Sequence, residues 1–109
     1  MLAEIKKQFY NDTLRELEGI NGKLSAEELP VNEHAVIAEK IFTISHQISG
    51  TGPMLGFNSS SVLSRKLEKT FYHIRSGERE ITPQLLWQTK RAIEAIIKAI
   101  SEENSQKEF

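Results

Sequence analysis

The sequence predicts an all-α protein, an antiparallel up-and-down four-helix bundle. Three observations carry this. Apolar residues recur at helical spacing in four separate segments. The segments are joined by short connectors containing Gly or Pro, which favours antiparallel neighbours. Almost nothing alternates in the manner of a strand. The 109 residues suit one domain covering 1–109, without repeats or low-complexity tracts.

The first helix is expected from about Leu2 to about Leu24, where Ile5, Phe9, Leu14, Leu17, Ile20 and Leu24 follow steps of three to five residues. Gly19 and Gly22 weaken its end. In the connector, Ser25 with Glu28 fits a capping box, and Asn32, after Pro30, is a candidate N-cap. The second helix should begin near Glu33, with Ile37, Ile41, Ile44 and Ile48 forming one apolar stripe. Pro53 lacks a backbone donor and crowds the carbonyl of Ser49, so the helix kinks or stops there. Asn58 is the candidate N-cap of the third helix, which carries Val62, Leu63, Leu67, Phe71 and Ile74 and closes at Gly77. Thr82-Pro83 is a strong start signal for the fourth, with Leu85, Leu86, Ala92, Ile93, Ile96, Ile97 and Ile100 on its apolar face. The polar tail, 102–109, is expected to fray.

Composition narrows the function classes. The formal net charge of -1 argues against a dedicated nucleic-acid binder. With no cysteine, disulfides and thiolate metal sites are excluded. No run reaches the ~18 apolar residues of a membrane span, and the amino terminus lacks the apolar block of a signal peptide. A cytoplasmic domain without membrane contact is the expectation.

One stretch raises a question: FTISHQISGTGPMLGF, Phe42 to Phe57. Relative to Ile37, helical geometry puts the isoleucine stripe within roughly 40° and His46 about 180° away, pointing out of the bundle. Gly50 lies one turn further along the same outer face, and Thr43 one turn back. A helical glycine costs about 1 kcal/mol relative to alanine. Access to His46 would explain it, because a Cβ at position 50 is expected to cover part of the ring or to block a large partner. By itself, such a histidine is an ordinary surface residue.

The segment resembles the active segment of histidine-containing phosphotransfer (HPt) domains, which carry a phosphoryl group on a histidine. Their pattern is matched by His46, Ile48, Gly50 and Gly56, with Phe57 as the apolar follower. It is further similar to the HPt domain at the N-terminus of chemotaxis histidine kinases, which has a Glu twenty-two residues after the histidine, here Glu68, and a helix end matched by Arg75, Gly77 and Glu78.

The resemblance implies a phosphocarrier rather than an enzyme with its own turnover. His46 would accept a phosphoryl group from a histidine kinase or a phosphorylated receiver domain, and pass it to a receiver aspartate. No intrinsic cofactor is implied, and Mg²⁺ is expected on the receiver. Glu68 would accept from Nδ1–H and leave Nε2 as the nucleophile. One departure stands out: the family usually has Lys three residues after the histidine, and this chain has Ser49. A hydroxyl donates a hydrogen bond but supplies no charge. Arg65 or Lys69 is the candidate substitute. Partner contacts are expected from Phe42, Thr43, Gln47 and Ser49, and from a basic cluster of Arg65, Lys66 and Lys69.

The rival reading is an HPt-like bundle that binds a kinase or receiver without carrying phosphate. A di-iron bundle needs Glu three residues before a ligating His, but Val31, Thr43 and Thr70 precede His34, His46 and His73. SGTGPMLG lacks the Gly-Lys-Ser/Thr of a P-loop. Trp87 and Tyr72 read as packing or boundary residues.

Overall fold

In the computed structural model, which describes residues 1–26 and 29–105, helix α1 spans Leu2–Leu24, α2 His34–Thr51, α3 Asn58–Arg75 and α4 Pro83–Ser105. Short 3-10 turns lie at Val31–Glu33 and Gly52–Leu55. Among the described residues there is no strand.

The chain runs up and down. Tyr10 near the start of α1 meets Ser101 near the end of α4, hydroxyl to hydroxyl at 3.4 Å. Across α2 and α3, Glu39 pairs with Arg75 at 3.2 Å, and two turns further His46 pairs with Glu68. Both pairs therefore share one antiparallel register.

The isoleucine stripe of α2 is buried, joined in the core by Leu17, Ile20, Leu67, Phe71, Ile93 and Ile96. Fully burying each such side chain contributes about 1.5–3 kcal/mol. Truncating Ile44 at its centre would cost about 2–5 kcal/mol. A second cluster of Leu55, Phe57 and Ile100 closes the end of the bundle beyond α2. Val62 is a correction: it lies 52% exposed, and the buried face of α3 is built instead from Ser60, Ser61, Ser64, Leu67 and Phe71. Small serines let α3 approach α2 closely, and Ser61 Oγ lies within hydrogen-bond reach of the Phe57 carbonyl oxygen at 2.7 Å and the Ile48 carbonyl oxygen at 3.0 Å.

The helix ends follow the sequence in part. Thr82 caps α4 through its hydroxyl, which accepts from Leu85 N–H at 3.1 Å. Gly77, at φ +83°, closes α3 in a Schellman motif, with Glu78 N–H on the His73 carbonyl and Gly77 N–H on that of Ile74. Asn32 does not cap α2 but sits inside the Val31–Glu33 turn. Ser25 closes α1, donating to the Asn21 carbonyl at 2.7 Å, while its expected capping-box partner Glu28 lies outside the described residues.

Two corrections meet at one place. Asn58 makes no side-chain cap, and the tail expected to fray from 102 stays helical through Ser105. The two findings have one cause. Glu103, buried in the last turns of α4, accepts from Ser59 N–H and Ser60 N–H at 2.9 Å each, and from the Ser60 hydroxyl. These are first-turn amides that α3 cannot satisfy internally. The carboxylate also meets the positive end of the helix dipole. Residues 106–109 lie outside the described ones.

Candidate phosphoryl-acceptor site

The stripe that buries Ile44 and Ile48 turns His46 outward, and its side chain is 67% exposed. Nδ1 lies 2.5 Å from Glu68 Oε2 on α3. An ionised carboxylate only accepts, so Nδ1 carries the proton, and Nε2 has no hydrogen-bond partner among the described residues. A second contact fixes the ring plane. Phe42, one turn earlier on α2, lies parallel to the imidazole within 8°, with centroids 5.9 Å apart. The Arg75 guanidinium sits over the Phe42 ring at 4.7 Å while holding Glu39.

Glu68 is only 22% exposed at its side chain. Desolvation pushes its carboxyl up, but hydrogen bonds from His46 and Ser49, with the charges of His46 and Arg65, outweigh this and hold it below the ordinary value of 4.5. Ser49 donates to Glu68 Oε1 at 2.7 Å. The serine at the position of the usual lysine is thus turned towards the carboxylate.

An exposed imidazole with one nitrogen held by a carboxylate and the other bare is a nucleophile. The family model for the Hpt domain matches residues 4–102. The chain belongs to the Hpt domain family. Neither curated proteins nor solved structures give a significant match. Hpt domains are helical bundles that act in phosphotransfer within two-component systems.

In this Hpt domain, Thr43, Gln47 and Gly50 are exposed with His46 along α2. Arg65 and Lys69 are exposed on α3 on either side of Glu68 in sequence, and neither forms an ion pair among the described residues. Lys66 is exposed beside Arg65 and also lines a groove between α3 and α4 with Leu63, Thr70 and Leu85. Trp87 and Tyr72 are 58% and 55% exposed, so neither is a core residue, and Trp87 packs under Arg91.

The glycines divide by role. A Cβ at Gly50 would meet nothing within 4 Å, so it would not cover the His46 ring as expected. The fold itself does not require Gly50. Gly52 is needed for want of space, since its Cβ would lie 2.5 Å from Ser61 Oγ and 3.3 Å from the Phe57 carbonyl oxygen. Gly56 takes φ +89°, which side-chain-bearing residues disfavour.

Sequence reasoning missed the parallel Phe42 ring, Arg75 behind it, and the direction of the Ser49 hydroxyl. Signals existed for two of them. Phe42 and His46 are four apart on one helix, where side chains meet. Pairing His46 with Glu68 across antiparallel helices also puts Glu39 opposite Arg75, seven residues away on each. Among the described residues, no group of three or more His, Asp or Glu could hold a metal ion, and no helix is long and apolar enough to cross a membrane.

Proposed function

We propose that this Hpt domain is a phosphocarrier of a two-component phosphorelay, with His46 as the acceptor. The exposed imidazole bonded through Nδ1 to Glu68 supports this reading above all. The Nε2 lone pair attacks phosphorus of the donor, a kinase-bound nucleotide or a receiver aspartyl phosphate. The donor P–O bond breaks, and its electron pair leaves with the donor oxygen. Positive charge that develops on the ring is balanced by Glu68, whose bond to Nδ1–H shortens no path but fixes the reacting tautomer. The reverse step delivers the group to a receiver aspartate, where Mg²⁺ on the receiver neutralises the phosphoryl oxygens.

Phosphoryl transfer asks mainly for positioning, and this domain supplies an oriented nucleophile on a rigid helix pair. The partner covers the outer faces of α2 and α3. Phe42, Thr43 and Gln47 contribute contacts there, and Arg65 and Lys69 face the acidic rim of the receiver. Gly50 keeps the surface low for that approach, a role suggested by the open space around it and by the lack of any packing reason for glycine.

The test is phosphorylation by a receiver domain loaded with phosphate, followed by intact-mass measurement. Acid-labile gain of one phosphoryl group is expected for the native chain and none for His46→Gln. Label retained in His46→Gln would reject the assignment. A native chain that binds the loaded receiver but gains no label would establish the interaction-only alternative.

A further inference from the structure

We infer that Ser49 is a positioning residue for the acceptor imidazole, acting through Glu68 and not on the phosphoryl group. The inference rests on His46 being the acceptor, but its first test needs no phosphorylation.

Ser49 stands three residues after His46 on α2. Its Oγ lies 2.7 Å from Glu68 Oε1 and 3.1 Å from the His46 carbonyl oxygen. A helical serine commonly turns back to a carbonyl of the preceding turn. Here the shorter contact is to the carboxylate, and a bond to a charged acceptor is roughly twice as strong as one to a neutral carbonyl. The hydroxyl has one proton, so that proton goes to Glu68.

The two oxygens of Glu68 therefore have different donors, both from α2: Oε1 takes Ser49 and Oε2 takes His46 Nδ1. The terminal torsion of a glutamate is soft. Held by a single donor, the carboxylate can swing about it; held at both oxygens, it cannot do so without losing one bond. A fixed Oε2 keeps the neutral imidazole in the tautomer that protonates Nδ1 and leaves Nε2 free.

The same geometry removes Ser49 from the phosphoryl group. Nδ1 and Nε2 point away from one another across the ring, so the side held by Glu68 and Ser49 is not the side that meets phosphorus. The proton already given to Glu68 is not available to a phosphoryl oxygen. In this chain the residue at the usual lysine position serves the orientation of the nucleophile, and positive charge for the phosphoryl oxygens is left to the partner, Arg65 or Lys69.

The experiment compares Ser49→Thr with Ser49→Val, which have the same shape and differ by a hydroxyl in place of a methyl. In ¹⁵N-histidine NMR of the unphosphorylated protein, the native chain and Ser49→Thr should show neutral His46 protonated at Nδ1. Ser49→Val should populate the Nε2–H form, and the Glu68 carboxyl, followed by ¹³C, should titrate closer to its ordinary value. Phosphorylation by phosphoramidate should then fall about tenfold in Ser49→Val and be kept in Ser49→Thr. If Ser49→Val fails to fold, Ser49→Ala takes its place.

A tautomer balance and a Glu68 titration that are both unmoved by Ser49→Val would overturn the proposal. So would a loss of phosphorylation with the tautomer unmoved, because that result puts the hydroxyl on the phosphoryl group. A native chain labelled at some other residue would reject His46 as acceptor while leaving the NMR result standing on its own.

Discussion

Glu68 and Glu103 do similar work at two places along α3, and they differ in what they hold. Each carboxylate reaches across a helix boundary and receives donors on both oxygens. Glu103 is 8% exposed and takes two backbone amides and a buried hydroxyl. Its main-chain donors never change protonation. Glu68 takes a serine and an exposed imidazole whose proton count can change. The same side chain is therefore a fastening where its donors are fixed and buried, and part of the proposed acceptor site where one donor is ionisable and open to solvent.

The largest effect should come from breaking the fastening. Glu103→Ala leaves first-turn amides and the Ser60 hydroxyl without their partner, and should cost about 3 kcal/mol, read as a lower urea midpoint. Glu68→Ala should cost at most about 1 kcal/mol, since it removes a partly exposed pair, yet should slow phosphorylation of His46 about tenfold or more. The comparison breaks if the two variants exchange behaviour, with Glu103→Ala harmless to folding or Glu68→Ala harmless to phosphorylation.

The glycines sharpen the same division. Gly52→Ala forces a methyl onto Ser61 Oγ and the Phe57 carbonyl, and should destabilise by about 1–3 kcal/mol. Gly50→Ala meets open space in a helix and should stabilise by about 0.5–1 kcal/mol. Transfer from a loaded receiver to Gly50→Ala should slow, while phosphorylation by the small donor phosphoramidate stays at the native rate. Equal slowing with both donors would show that Gly50 acts on the imidazole and not on the approach of a protein.

A smaller effect concerns pH. The Glu68 carboxyl titrates lower in the folded chain than in the unfolded one. Its contribution to stability is then fully present above about 4.5, the unfolded value, and is lost as pH falls through the lower folded value. Glu68→Gln should remove that part of the acid-side decline, visible as a flatter stability profile below about 4.5. Smallest is the salt response. If Arg65 and Lys69 steer an acidic receiver, raising ionic strength should lower its association rate, and Arg65→Ala with Lys69→Ala should reduce that dependence.

What the sequence made legible were the features written in local spacing. The bounds of α1, the isoleucine stripe, the outward turn of His46 and the Thr82 cap all depend on residues within a few positions of one another. What it hid were contacts between side chains distant in sequence. Asn58 reads as a cap because it is a good cap residue in the right place, yet a carboxylate 45 positions later does the capping. That carboxylate does leave a trace: Glu103 extends the 3, 4, 3 spacing of Ile93, Ile96 and Ile100, so it occupies a core-facing position in a segment that looks polar. Gly52 and Gly50 look alike in the sequence, and only the position of Ser61 tells them apart. Ser49 was visible as a departure from a family pattern, but the direction of its hydroxyl depends on where α3 places Glu68.

The match to the family ends at residue 102, one position before the side chain that fastens the start of α3. Anyone excising this module for a chimera or a biosensor by trimming at that margin would discard Glu103 and loosen a helix more than forty residues upstream, the one that carries Glu68. A cut placed after Ser105 keeps it.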